Sequence, residues 1–556
     1  MTSIQQIRLS DNILPVKYSV SMLWRKKAVP EIAAVFLPLL FLAFIRFAGF
    51  TSENSVDCYY HIFMADSGPS VYMKKEFPAV SMSVWTKHFS DKELGFHLIL
   101  SGVRSIKESL KLSLSPPFNI EALVFAGFLI FSFSYLLWFF KVKNSLYYSL
   151  LLIIISPFFT NRILMLRPHT LSITLMLLSL PILFSIDSRR KLWRAFLLGI
   201  VTSWCYSNPH FILLPGVAVM AALYLKKGNS YFPFILPLTL LAGLISGYIF
   251  HPQFPNTFIN WKIQSIDVII QALFHLRAIT IGGEFHSPSY SWIFKNSLPF
   301  ILLIFNFLLL CRLYEKKDHW RGLVKKLSAP TIAVGIISVV TLCMVFAGVR
   351  AMEYAAPFSI IFTALVINEF YKRNYAFPQM LSTPEIAKYT RILILLLGIS
   401  VTLFQIDKYQ KIEGFRPLND FRKWTETADI PKNAIIANLI WSDFSFLIYS
   451  TPQYRYLSGQ EPMFSYALYP ENMRQMELFR REKIKLTPSE LAKITNANFA
   501  FIRKPYKRFA LSMIKQGFHP AYSGKDGWLF SISSSPLKKL KEEKTEKQLK
   551  IQTINN

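Results

Sequence analysis

Residues 31–61 read E-I-A-A-V-F-L-P-L-L-F-L-A-F-I-R-F-A-G-F-T-S-E-N-S-V-D-C-Y-Y-H. The run 31–49 approaches the roughly 20 apolar residues that a helix needs to cross a bilayer. The chain then turns polar and presents Asp57 at the head of D-C-Y-Y-H. A carboxylate at this depth faces the boundary between water and lipid. There it can bind a metal, orient a phosphate or accept a proton. A lone Asp in a polar loop can equally be solvated and inert, so the rest of the chain decides.

Of the 556 residues, 52% are hydrophobic and 17% charged, against about 25% charged in soluble domains. Apolar runs recur near 31–49, 120–140, 145–160, 168–186, 194–208, 209–225, 231–250, 298–313, 329–348, 354–370 and 392–406. They predict an α-helical polytopic membrane protein with about eleven transmembrane helices. The net charge of +29 would suit a nucleic-acid partner if it were clustered on one surface. Instead Lys and Arg mark alternate connections: Arg25 to Lys27, Lys141 and Lys143, Arg189 to Arg194, Lys226 and Lys227, Arg312 to Lys326, Lys372 and Arg373. That alternation is the positive-inside pattern. It predicts no nucleic-acid partner, a cytoplasmic N-terminus and an external C-terminus, as in a bacterial inner membrane. The first apolar run starts late and is long enough to span, so no cleavable leader is expected.

The pattern divides the chain into a cytoplasmic segment 1–30, a transmembrane domain 31–406, an external α/β domain 407–535 and a charged tail 536–556. Two outer loops are long, 50–119 and 251–297. Each carries a stretch with helical periodicity, one from Asp91 and one over 258–274, that reads as an interfacial helix. G-G-E-F-H-S-P-S-Y, residues 282–290, reads as a flexible loop. Beyond 407, the segments around 431–441, 497–503 and 527–533 read as strands. The four cysteines have no disulfide framework and no zinc spacing.

Three segments resemble the GT-C superfamily of membrane glycosyltransferases, most closely the catalytic subunit of oligosaccharyltransferase. D-C-Y-Y-H resembles the motif that opens that family's first outer loop, which implies that Asp57 belongs to the catalytic site. P-K-N-A-I-I-A-N-L-I-W-S-D-F-S, residues 431–445, resembles the segment ending in W-W-D-Y-G. The resemblance implies acceptor binding by Trp441, Asp443 and Phe444, while Ser442 and Ser445 depart from the motif. An Asp at this strand end can also cap the next helix. R-A-M-E-Y-A-A-P, residues 350–357, resembles the segment that places an Arg near the donor phosphate. The planar fork of Arg350 suits phosphate; an ion pair with Glu353 and snorkelling to lipid head groups are its other readings.

The family's second acidic motif is missing. At its place stands T-N-R-I-L-M-L-R-P-H, residues 160–169, whose Arg162, Arg167 and His169 are basic. They are expected to contact donor phosphate instead. Glu284 lies in the region where the family has an acceptor-binding acid. The resemblance thus implies a glycosyltransferase using a polyprenyl-phosphate or -pyrophosphate sugar donor in membrane lipid, with a peptide, glycan or lipid acceptor. A divalent cation, Mg or Mn, is expected at Asp57 and His61. The alternatives are a single-sugar mannosyltransferase-like or lipid-modifying enzyme, and a non-enzymatic transporter, flippase or polysaccharide-assembly protein.

Overall fold

A computed structural model of the chain describes residues 29–50, 53–112, 118–185, 187–227, 232–274, 279–280, 282–314, 319–373, 384–411 and 415–533. The expected tail 536–556 and all but the end of the segment 1–30 lie outside these residues.

Every apolar run singled out in the sequence is helical. Six helices are long and apolar enough to cross a membrane: Pro30–Gly49, Asn119–Phe139, Pro209–Lys226, Ala329–Ala347, Val349–Lys372 and Ile392–Lys411. The chain is therefore a multi-pass membrane protein. By length, six or up to seven crossings qualify among the described residues, fewer than the eleven apolar runs suggested. Three further apolar helices, His169–Leu183, Ile235–Ile249 and Leu298–Leu313, are shorter. The helix Ser188–Cys205 begins with Arg189, Arg190 and Lys191, which takes its first turn out of an apolar window.

Met352–Lys372 runs through the middle of the bundle, and almost all its side chains are buried, including Glu353, Asn368 and Glu369. Ala329–Ala347 and Leu298–Leu313 pack on it. Elsewhere two helices cross at backbone distance. A Cβ on Gly243 would lie 2.1 Å from the Phe196 carbonyl, and one on Gly199 would lie 2.5 Å from the Leu240 carbonyl. Small residues permit such close packing between membrane helices, where dispersion contacts rather than water exclusion hold neighbours together.

The C-terminal region carries a mixed five-stranded sheet of β1 (Ile435–Asn438), β2 (Arg455–Tyr456), β3 (Phe499–Arg503), β4 (His519–Ser523) and β5 (Gly527–Ser531). Its order is β2-β1-β3-β5-β4. β1 runs parallel to β2 and β3, and β5 pairs antiparallel with β3 and β4. Strands β3 and β5 are buried on both faces, which is why F-A-F-I-R and G-W-L-F-S read as continuous apolar runs. β4 sits at the edge and is mostly exposed. The first outer loop joins the opposite edge: Ser81 N–H and Met82 N–H donate to the carbonyls of Tyr456 (2.8 Å) and Leu457 (2.9 Å). This pairing ties the sheet to the segment that follows the helix Asp57–Ser67.

Candidate functional site

The site begins with a break in a helix. Ser145–Ile154 and Pro157–Ile163 meet at 95°. Pro157 has no N–H to continue the helical ladder and forces its predecessor out of the helical region. Ser156 is accordingly extended, and its hydroxyl accepts from the Phe159 amide at 3.1 Å, restarting a helix. Asn296 locks the corner, its Oδ1 accepting from Ser156 Oγ at 2.6 Å and from the Phe158 amide at 3.1 Å. The bend delivers Arg162 and the loop carrying Arg167. His169 Nε2 donates to the Arg162 carbonyl at 3.0 Å, so this ring's donor is committed to the loop.

Asp57 opens the helix Asp57–Ser67, where the partial positive charge of the helix start favours a carboxylate. The chain leading to it is tied down by a buried ion pair, Arg46 Nη2 to Glu53 Oε2 at 2.7 Å. Arg46 also donates to the Leu164 carbonyl at 3.1 Å. The same arginine thereby fixes both the approach to Asp57 and the loop before Arg167.

Three arginines and three carboxylates meet here. Asp57 Oδ2 pairs with Arg167 Nη2. Glu284 Oε2 accepts from Arg162 Nη1 at 2.9 Å and from Arg167 Nη1 at 3.3 Å, and its Oε1 accepts from Arg350 Nη1 at 2.6 Å. Glu353 faces Arg162. The partner of Arg350 is thus Glu284, with Tyr206 Oη at 3.0 Å as its second contact; the expected pairing with the neighbouring Glu353 goes to Arg162 instead. Burial pushes the Glu284 carboxyl up, yet Arg350, Arg162 and Arg167 together hold it well below the usual carboxylate range. Burial works against the charge on Arg167, and Asp57 and Glu284 outweigh it, so its pKa is raised.

Four of these groups line a cavity of about 260 Å³, and the buried Arg162 and Glu353 stand behind it. Asp57, His61, Arg167, His169, Glu284 and Arg350 all face it, as does Trp441 from the sheet side. Asp443 and Phe444 do not line it. Asp443 is fully buried and accepts from Arg503 Nε at 2.5 Å. Burial raises its pKa against the pull of Arg503. Phe444 packs among Tyr60 and Tyr456. The short turn Trp441–Asp443 explains the split, since successive residues there point in different directions.

A divalent cation at Asp57 has little to bind it. The carboxylate already faces a guanidinium, and where a second acid would stand the chain has Arg167. Among the described residues, the donors that do group within reach of one ion are His61, Glu93 and His97. His61 is shared with the expected set and Asp57 is not.

Four residues of the cavity wall or its backing had no role in the sequence reading: Lys92, Glu93, His97 and Glu461. Glu93 immediately precedes the helix Leu94–Ser109 and His97 lies on its first turn, a spacing present in D-K-E-L-G-F-H. Glu461 carried no signal. It lines the cavity from the sheet side, and burial pushes its carboxyl up to about 7.

No known family profile and no curated protein matches the chain. Solved structures do. The archaeal oligosaccharyltransferase AglB from Archaeoglobus fulgidus, in complex with an inhibitory peptide and a dolichol-phosphate, aligns with a TM-score of 0.58 and 12% identity over 92% of this chain and 75% of that one. The Archaeoglobus fulgidus oligosaccharyltransferase complex with Zn and sulfate gives 0.53 and 12% identity, over 90% and 73% respectively. The fold of this chain is thus similar to that of the archaeal oligosaccharyltransferase AglB.

Proposed function

We propose that the protein is a membrane glycosyltransferase. It takes a sugar or oligosaccharide from a polyprenyl-phosphate or -pyrophosphate donor and passes it to an acceptor on the outer face of the membrane. The observation that carries this reading is the convergence of Asp57, Arg167 and Arg350 on one cavity, with Arg162 paired to Glu284 behind it, in a fold shared with an oligosaccharyltransferase. The AglB complex with dolichol-phosphate and a peptide supports a lipid-linked donor and makes a peptide the first acceptor to try. The basic connections orient the N-terminus to the cytoplasm and the sheet to the outside, as in a bacterial inner membrane.

Breaking the bond between sugar carbon and phosphate oxygen leaves negative charge on the phosphate. Fixed guanidinium groups around it stabilise that charge without reorganising. Arg350 and Arg167 supply it from two sides, and Arg162 has a buried Nη2 with no hydrogen-bond partner among the described residues. His169 serves by holding Arg162 in place. Asp57 orients the acceptor nucleophile or takes its proton. Trp441 offers the acceptor a ring, with Asp443 and Phe444 shaping that wall from behind. Glu284, once phosphate draws the arginines away, is free to meet the acceptor.

Arg350 tests the donor side. Arg350→Lys keeps the charge and loses the bidentate fork. Donor affinity for a radiolabelled polyprenyl-phosphate sugar, measured on purified protein, is expected to fall about tenfold for Lys and about a hundredfold for Ala, in line with roughly 1.5–3 kcal/mol for a charged hydrogen bond. Unchanged affinity with a lowered melting temperature would leave Arg350 as a structural partner of Glu284 and remove the phosphate role.

A further inference from the structure

On the wall of the same cavity lies a second group of donors. His61, Glu93 and His97 are all buried, and one ligand atom from each lies within 4.8 Å of the others. His61 and Glu93 line the cavity. His97 stands behind them on the first turn of the helix Leu94–Ser109, which Glu93 immediately precedes.

The hydrogen bonds fix the orientation of the rings. His97 Nδ1 is 2.7 Å from Asp91 Oδ2, so this nitrogen carries the proton and donates it. The lone pair of His97 is then on Nε2, and Nε2 points at His61 Nδ1, 2.9 Å away. A carboxylate behind the distal nitrogen of a histidine is the arrangement that orients metal-binding imidazoles. Asp91 is itself set by the Gln253 side chain, whose Oε1 accepts from the Asp91 amide at 2.5 Å.

The third donor has a vacancy in its bonding. Glu93 Oε2 is buried with no hydrogen-bond partner among the described residues. Lys92 approaches only the other oxygen, Oε1, at 3.7 Å. A buried carboxylate oxygen without a partner is costly, and a cation between it and the two imidazoles would satisfy it.

We infer that His61, Glu93 and His97 bind a divalent transition-metal ion, with Asp91 orienting His97 and the fourth position open to the cavity. Two imidazole nitrogens and one carboxylate match zinc, while magnesium prefers oxygen donors throughout. Zinc–nitrogen bonds of about 2.0–2.1 Å in a tetrahedral site put two nitrogens roughly 3.3 Å apart. The two rings need to separate by only about 0.4 Å from their hydrogen-bonded contact to admit the ion. Asp57 is not a member of this site, because its carboxylate is engaged by Arg167. The inference does not depend on the transferase reading, since metal binding is measured without any donor.

The test uses the full chain, purified, stripped with a chelator and titrated with Zn²⁺ against a competing zinc dye. One equivalent per chain is expected. Glu93→Gln, which keeps shape and removes the charged ligand, should weaken binding at least a hundredfold. Asp91→Asn should weaken it about tenfold to a hundredfold as an outer partner, and Asp57→Asn should leave it unchanged. Co²⁺ in place of zinc should give the visible absorption of a four-coordinate site, lost in His97→Ala. Melting temperatures of the apo proteins show that each variant is folded. Absence of stoichiometric zinc binding by the unaltered chain would overturn the inference. So would folded Glu93→Gln and His97→Ala proteins that bind zinc as the unaltered chain does, and Asp91–His97–His61 would then be a hydrogen-bonded chain alone.

Discussion

Asp57→Asn is expected to lower glycosyl transfer by about two to four orders of magnitude, the range for a positioned acid–base group. The substitution keeps the size of the side chain and removes its charge. Its structural cost should be small. Asp57 is only partly buried, and Arg167 retains Glu284 as a partner when Asp57 is neutralised. The helix Asp57–Ser67 is held by its packing against Phe444–Ser450 and Leu94–Ser109 rather than by this carboxylate. Transfer rate and melting temperature measured on the same preparation separate the two roles. An Asn variant that transfers at the normal rate would make Asp57 a plain partner of Arg167, and the proposed reaction would lose its nucleophile-orienting group.

The second large effect is on stability. Asp443 and Arg503 form a pair in which the carboxylate is fully buried and the guanidinium nearly so. Arg503 also lies 4.2 Å over the Phe446 ring. Removing one partner of such a pair leaves an uncompensated buried charge and costs roughly 3–5 kcal/mol. Arg503→Met should therefore lower the melting temperature strongly. The double variant Asp443→Leu with Arg503→Met should recover much of the loss, because it removes both desolvation costs together. Recovery would make the pair a device of folding. If Asp443→Asn instead changes acceptor affinity at unaltered stability, Asp443 reaches the acceptor despite its burial.

The sequence carried the membrane class, the helical segments and the three strands β1, β3 and β5, because each rests on local pattern. Apolar runs and charge alternation do not depend on what packs against them. The two-residue strand β2 escaped because Arg455–Tyr456 owes its conformation to neighbours far along the chain, β1 and the first outer loop. The corner at 156–158 was not legible for a related reason: S-P-F reads as part of an apolar run, and only the Ser156–Asn296 contact shows it to be a right-angled bend.

At the site, the types of residue were legible and the pairings were not. Arg350 and Glu353 are neighbours in sequence, and proximity suggested a pair. The structure joins each to a residue more than sixty positions away, Glu284 for one and Arg162 for the other. Glu93 and His97 stand four apart in the sequence, at the start of one helix. Their meaning waits on His61, which arrives from another element.

The balance of three guanidinium groups against three carboxylates has a kinetic consequence. Asp57 is fixed at a helix start and Glu353 lies within a buried helix. Glu284 alone sits on a short turn preceded by two glycines. An arriving phosphate competes with all three anions, and Glu284 is the one that moves at least cost. It acts as a tethered competitor, present at high effective concentration, that any donor must displace. Weakly charged lipids fail that exchange. A donor that succeeds releases Glu284 in the same step, so the carboxylate proposed for the acceptor becomes available only after the donor is in place. In the proposed reaction the site would then impose an order of addition, donor before acceptor.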